Sequence, residues 1–301
     1  MSKASEIVAN VFLGPTPDWE TCSSDGEIDP KHGYDIYIEA SDLAQMPDKR
    51  TLAAITEAAE FSPQRLEVPS SGSIMPPTWS QAQIDGLLDL CRWMYELTNH
   101  TPVQQMVEAD GDIPMTLLSS RPRKILLHCA DGYTETTLLA VAYFMYSECI
   151  PVHEAWLRLH CEKKRNFFAY QSDVALLRQI QPRIMQESPL GRPLDLSSVS
   201  EPKWLNHMDG SLPSRILPYM YLGNLLHANN PELLRALGIK RILSIGEPVS
   251  WPLDELTKWP EENLLMVDRV QDNGIDPLTS EFDRCLEFIG TLFIFVINVY
   301  L

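Results

Sequence analysis

The stretch Ile125–Phe144, ILLHCADGYTETTLLAVAYF, decides how this chain is read. An apolar run stops at His128-Cys129, a polar loop containing Gly132 follows, and an apolar helical pattern then resumes. A short apolar run bounded by turn signals reads as a buried strand. The strand expected over Lys124–His128 is apolar on both faces, as the central strand of a parallel sheet should be. A strand, then Cys-x5, then a helix is an arrangement suited to phosphate. Backbone N–H groups at a helix N-terminus form an anion-binding nest, and the same field lowers the pKa of a thiol. The loop nevertheless carries Asp131 and Glu135, two negative charges where an anion site should be short of them. A catalytic site, a disabled one and an ordinary buried cysteine all remain open at this point, since free cysteines are usually buried and inert.

Working outward from this stretch, Thr136–Cys149 reads as a helix with Leu138, Val141, Ala142 and Met145 on one face. A second helix begins at Pro151 with Ala155, Trp156 and Leu159 inward, and a third covers Gln171–Ile184, with a disturbance expected at Pro182. Upstream, strands are expected at Tyr34–Ile38 and Arg65–Val68, and helices at Thr51–Ala59 and Gln81–Leu97. Thr98–Arg123, with Pro102, Pro114 and Pro122, reads as a surface loop.

The chain also repeats itself. IVANVFLG (7–14) resembles ILPYMYLG (216–223), each a short apolar strand ending in an aromatic-Leu-Gly turn. After the second copy come a helix at Pro231–Leu237, strands at Arg241–Ile245 and Asn263–Val267, and a helix at Ser280–Ile289. Alternating strands and helices at this spacing indicate an α/β fold with a central, mixed, partly parallel sheet flanked by helices. The expected division is a domain over residues 1–186, a Pro- and Ser-rich linker over 187–211, and the first part of a second copy over 212–301. In the first copy 115 residues separate Gly14 from Cys129, and the same offset from Gly223 passes Leu301. The second copy is therefore expected to lack its cysteine loop and central strand. That would leave Phe293, Phe295 and Val296 in an apolar end segment exposed and aggregation-prone.

The 301 residues carry a formal net charge of -17, which argues against nucleic acid or an anionic membrane surface as the main partner. The end segment IGTLFIFVINVYL (289–301) is shorter than the about 20 residues a spanning helix needs. It reads as core, and no membrane partner is expected. Six scattered cysteines show no zinc-knuckle or disulfide spacing. With no secretory signal pattern at Met1, the expected setting is cytoplasmic or nuclear. His128, Cys129, His153, His160 and Cys161 fit no common metal pattern, so neither metal nor cofactor is expected.

The loop His128-Cys129-Ala130-Asp131-Gly132-Tyr133-Thr134-Glu135-Thr136 resembles the His-Cys-x2-Gly-x2-Arg-Ser/Thr signature of the cysteine-dependent, dual-specificity protein phosphatases. Arg165-Asn166-Phe167-Phe168 with Gln171, and the two Leu-Gly turns, resemble further parts of that domain, and the tandem arrangement is similar to fungal members. The resemblance implies phosphoprotein or phosphopeptide substrates dephosphorylated on Tyr, Ser or Thr. It implies a cysteinyl-phosphate intermediate with Cys129 as nucleophile, and a phosphate loop of residues 128 and 130–136.

Two departures count against turnover. The family's phosphate-gripping Arg falls on Glu135, and charge-assisted hydrogen bonds of that kind contribute roughly 1.5–3 kcal/mol each. A carboxylate there repels instead, by about 4 kcal/mol at 4 Å and an effective dielectric of 20. Aligning VQDNG (270–274) with VPSSG (68–72) sets Asp272, which resembles the family's general acid, against Ser70. Losing such an acid costs about 10²–10⁴-fold. The first copy is expected to be a pseudophosphatase. The alternative is a binding or scaffold module that supports a regulatory partner or a complete second domain.

Overall fold

The computed structural model describes residues 4–17, 33–73, 80–99, 121–163, 165, 167–191, 201–208, 210–268, 270, 275 and 278–290, and the backbone of 294–298. Two compact units divide the chain: Met1–Ala155 with Ala169–Leu196, and Trp156–Phe168 with Ser197–Leu301.

In the first unit, β1 (Ser5–Val8) and β2 (Val11–Pro15) form a hairpin turned at Asn10, whose φ is 64°. Asparagine tolerates this left-handed conformation. Its side chain amide also donates to the Thr98 carbonyl at 3.1 Å. Then come β3 (Ile36–Ser41), α1 (Lys49–Ala58), β4 (Gln64–Pro69), α2 (Gln81–Thr98), β5 (Ile125–Cys129) and α3 (Thr137–Glu148). The sheet order is β1-β2-β5-β3-β4, and every pairing except β1 with β2 is parallel. Central β5 is buried along its whole length, in keeping with the apolar run Ile125–Leu127 that opens it. Asp48 caps α1, accepting from the Thr51 N–H at 2.8 Å, and Ser80 and Gln83 form a capping box on α2.

The helix after the cysteine loop is buried on every side, not on one face. Each residue from Thr137 to Ser147 is buried, so its sequence needs no polar stripe. Two helices follow, α4 (Val152–Cys161) and α5 (Gln171–Glu187). Contrary to the expected disturbance, α5 continues through Pro182. Gln181 beside it accepts from the Val152 N–H at 2.9 Å.

In the second unit, the stretch expected as a linker contains a short 3-10 turn at Lys203–His207 with Trp204 and Leu205 buried. The strands are β6 (Ser214–Leu217), β7 (Met220–Gly223), β8 (Arg241–Ile245), β9 (Leu264–Val267) and β10 (Ile294–Asn298), in the order β6-β7-β10-β8-β9. This is the order of the first sheet. The helices include α6 (Leu225–Ala228), α7 (Pro231–Ala236), α8 (Leu253–Leu256) and α9 (Phe282–Ile289). Leu243, Val267 and Cys285 form a buried cluster under Phe288 and Ile289.

The expectation that this copy lacks a central strand is overturned. β10 pairs in parallel with β7 on one side and β8 on the other, filling the slot that β5 fills in the first sheet. The offset counted from the first copy misled because its connection into β5 is long, whereas β10 follows α9 after four residues. In register, Gly14 faces His128 and Gly223 faces Ile297, so Asn298 stands at the strand position of Cys129.

Candidate functional site at the cysteine loop

β5 delivers Cys129 to the end of the sheet, where its carbonyl accepts from the Thr16 N–H at 2.8 Å. The loop then turns back onto β2 through Gly132, whose φ is +77°. A Cβ at Gly132 would lie 2.5 Å from the Pro15 nitrogen, so this turn needs glycine on grounds of conformation and space alike. His128 is buried with Nδ1 3.2 Å from Thr16 Oγ1. Burial, with a smaller contribution from the Arg65 charge, pushes its pKa down to about 4, so the imidazole is neutral.

The loop's N–H groups are already engaged. Asp131 Oδ1 accepts from the Tyr133 N–H at 2.8 Å and the Thr134 N–H at 3.4 Å, and from the Cys129 thiol at 3.2 Å. Aspartate side chains commonly bond their own backbone two residues on. Here the result is a carboxylate seated on donors that would otherwise face a phosphate. The side chain of Asp131 thus turns into the loop rather than away from it. Burial opposes its ionisation, but the Tyr133 N–H, the thiol and the Thr134 donors outweigh that and hold the carboxyl below its ordinary range.

Thr136 and Thr137 donate their hydroxyls to the Tyr133 carbonyl, at 3.2 and 2.9 Å. Leu138 N–H, at the start of α3, donates to Ser71 Oγ at 2.7 Å. Ala130 is the exposed residue between Cys129 and Asp131. Glu135 completes the set around the thiol: one ligand atom from each of Cys129, Asp131 and Glu135 lies within 4.8 Å of the others. Glu135 Oε2 is buried with no hydrogen-bond partner.

The thiol responds to these neighbours. Burial comes first, followed by the hydrogen bonds and charges of Glu135 and Asp131, and together they push the Cys129 pKa up to about 12. A catalytic cysteine needs the opposite shift. At neutral pH this group is a thiol.

Ser70, at the acid position, is fully buried and donates its hydroxyl to Asp42. Asp272, the other candidate acid, lies outside the described residues. Sequence reasoning missed three residues that build the site: Asp42, Ser71 and Asp173. Ser71 N–H donates to the Glu135 carbonyl at 2.8 Å, tying the segment after β4 to the cysteine loop. Asp173, in the first turn of α5, accepts from the Gly72 N–H at 3.1 Å and from Ser71. Burial dominates there and raises the Asp173 pKa to about 6. An acidic residue in a helix's first turn was a visible signal, but it ordinarily marks only the helix dipole.

Of the histidines weighed above, His160 lies with Nε2 2.9 Å from the Pro213 carbonyl. No helix among the described residues is long and apolar enough to cross a membrane.

No family model matches the chain. It is 27% identical, over 344 aligned positions covering 86% of its length, to the dual specificity protein phosphatase PPS1 of Saccharomyces cerevisiae (strain ATCC 204508 / S288c). It spans 40% of that relative's length. Similar solved structures include the Cydia pomonella PTP-2 phosphatase, at 18% identity and a TM-score of 0.37 over 60% of this chain and 90% of that one. Another is Tk-PTP in its active form, at 16% identity and a TM-score of 0.38 over 60% of this chain and 97% of that one. Along most of its length, including the β-strand that ends in Cys129 and the loop that leads into α3, the chain is similar in sequence to a dual specificity protein phosphatase.

Proposed function

We propose that the first unit is a pseudophosphatase: a phosphatase-like module that engages a protein partner without hydrolysing phosphate esters. One observation carries this reading. Asp131 seats its carboxylate on the Tyr133 and Thr134 N–H groups and against the Cys129 thiol. A phosphate entering the loop would have to displace a covalently tethered anion and then meet Glu135. Family hydrolysis through a cysteinyl-phosphate needs a thiolate, a cation and an acid. This unit offers a thiol, a carboxylate and a buried serine at those places. Phosphoproteins remain the class of ligand that the family implies for a longer protein containing this chain.

The reading is tested by titrating inorganic phosphate or vanadate into the chain and into the double variant Asp131→Ala/Glu135→Arg. The expected result is weak binding by wild type and a gain of roughly tenfold or more in the variant, which restores a cation and frees two N–H donors. Tight anion binding by wild type that needs Cys129 would overturn it.

A further inference from the structure

We infer that a groove in the second unit, walled by Arg235, Lys240, Lys258 and Asn263, is a docking site for an acidic peptide segment of a partner protein. The groove has a volume of about 500 Å³, and Trp259 and Pro260 give it apolar surface. Three cations and no carboxylate line it, in a chain whose formal net charge is -17. Glu261 and Glu262, in the turn before β9, are not part of the lining.

The polar groups of the groove are held so that they offer donors. Glu255 binds two of the cations at once, Arg235 Nη1 through Oε2 and Lys258 Nζ through Oε1, each at 2.7 Å. One carboxylate cannot neutralise two cations, and both side chains keep further N–H donors beyond the one it accepts. Lys240 is exposed and makes no ion pair among the described residues. Arg241 Nε donates to Asn263 Oδ1 at 3.3 Å, which occupies the acceptor of that amide and leaves its Nδ2 donor for the groove. The aromatic floor is fixed from behind. Trp251 packs on Trp259 with ring centroids 4.9 Å apart, and its own Nε1 donates to the Ala228 carbonyl at 2.8 Å. Tryptophan and arginine are residue types that anchor protein interfaces. A wall of donors selects a ligand of acceptors, and carboxylates beside an apolar side chain satisfy both wall and floor.

The place of the groove in the fold suits docking, not reaction. Lys240 immediately precedes β8 and Asn263 immediately precedes β9, so the groove lies where these parallel strands begin. Asn298, at the strand position of Cys129, lies where β10 ends, and β10 runs parallel to β8. A peptide held here sits at the opposite end of the sheet from the position of a reacting cysteine. Nothing in the groove depends on whether Cys129 is catalytic.

The test follows the fluorescence anisotropy of a labelled peptide, Asp-Glu-Leu-Glu-Asp, titrated with the full chain, against the amide control Asn-Gln-Leu-Gln-Asn. The acidic peptide is expected to bind roughly tenfold or more tightly than the control and to be released as salt rises to about 0.5 M. Lys240→Glu, which breaks no ion pair, should weaken binding about fivefold, and Lys240→Glu/Lys258→Glu roughly twentyfold or more. Lys49→Glu, on α1 of the first unit, should leave it unchanged. No binding by wild type, equal binding of the two peptides, or unchanged affinity in the double variant would each overturn the site. Binding only of a phosphoserine-bearing form of the control peptide would overturn it in favour of a phosphate site. A wild-type dimer that the double variant abolishes would overturn it in favour of a second copy of the chain.

Discussion

Cys129 donates its thiol proton to Asp131 across 3.2 Å, and the same Asp131 oxygen accepts the Tyr133 N–H at 2.8 Å. A side chain two residues from the cysteine therefore does two things at once. It occupies backbone donors of the loop, and it holds the sulfur protonated. Glu135 adds a second carboxylate to the same sulfur.

The first prediction concerns thiol reactivity. With a pKa of about 12, the thiolate fraction at pH 8 is roughly a thousandfold below that of an ordinary thiol. Alkylation of Cys129 by iodoacetamide, followed by mass spectrometry, should be correspondingly slow. Asp131→Asn/Glu135→Gln should speed it about tenfold or more, since both charges go while the burial stays. Equal rates in the two proteins would show that burial alone silences the thiol.

Asp173 makes a prediction about stability and pH. Its folded pKa is raised to about 6, so the folded state binds the proton more tightly than the unfolded chain does. The stability this group contributes is full below about pH 4 and is lost as pH rises through 6. A rise from the ordinary aspartate value to about 6 is equivalent to roughly 3 kcal/mol. Urea unfolding of wild type and Asp173→Asn at pH 4 and pH 7 isolates the effect. Wild type should lose about 2–3 kcal/mol relative to the variant on going to pH 7, and parallel profiles would contradict the assignment.

Ser71→Ala removes the acceptor for the buried Leu138 N–H, bonded at 2.7 Å. Leaving that donor unsatisfied should cost about 1–3 kcal/mol in chemical denaturation. An unchanged midpoint would mean that another acceptor replaces the hydroxyl.

Gly132→Ala places a Cβ 2.5 Å from the Pro15 nitrogen in a left-handed conformation. A loss of about 2 kcal/mol or more is expected, and with it disorder of the loop against β2, visible as faster amide exchange at Thr16. A tolerated alanine would mean that the loop does not rest on β2 as described.

The cysteine strand and its helix were legible as two apolar runs separated by a polar loop, although α3 is buried all round and not on the one face expected. Asp131 was legible in part, since an Asp-Gly pair carries its own turn chemistry, though its aim at the sulfur was not. Asp42 and Asp173 could not be found this way. They reach Ser70, Ser71 and Gly72 across 28 and 101 residues, and no local pattern encodes pairing at that range. The central place of Ile294–Asn298 was missed for a different reason. Counting residues from one copy to the other assumes equal loops, and sheets fix strand order while leaving loop length free.

Hydrolysis of a small aryl phosphate by wild type, Cys129→Ser and Glu135→Arg tests the central claim most directly. A carboxylate-filled loop around a protonated sulfur predicts wild-type turnover no faster than Cys129→Ser, with Glu135→Arg regaining phosphate affinity but little rate for want of an acid at Ser70. Wild-type turnover that Cys129→Ser abolishes would contradict it.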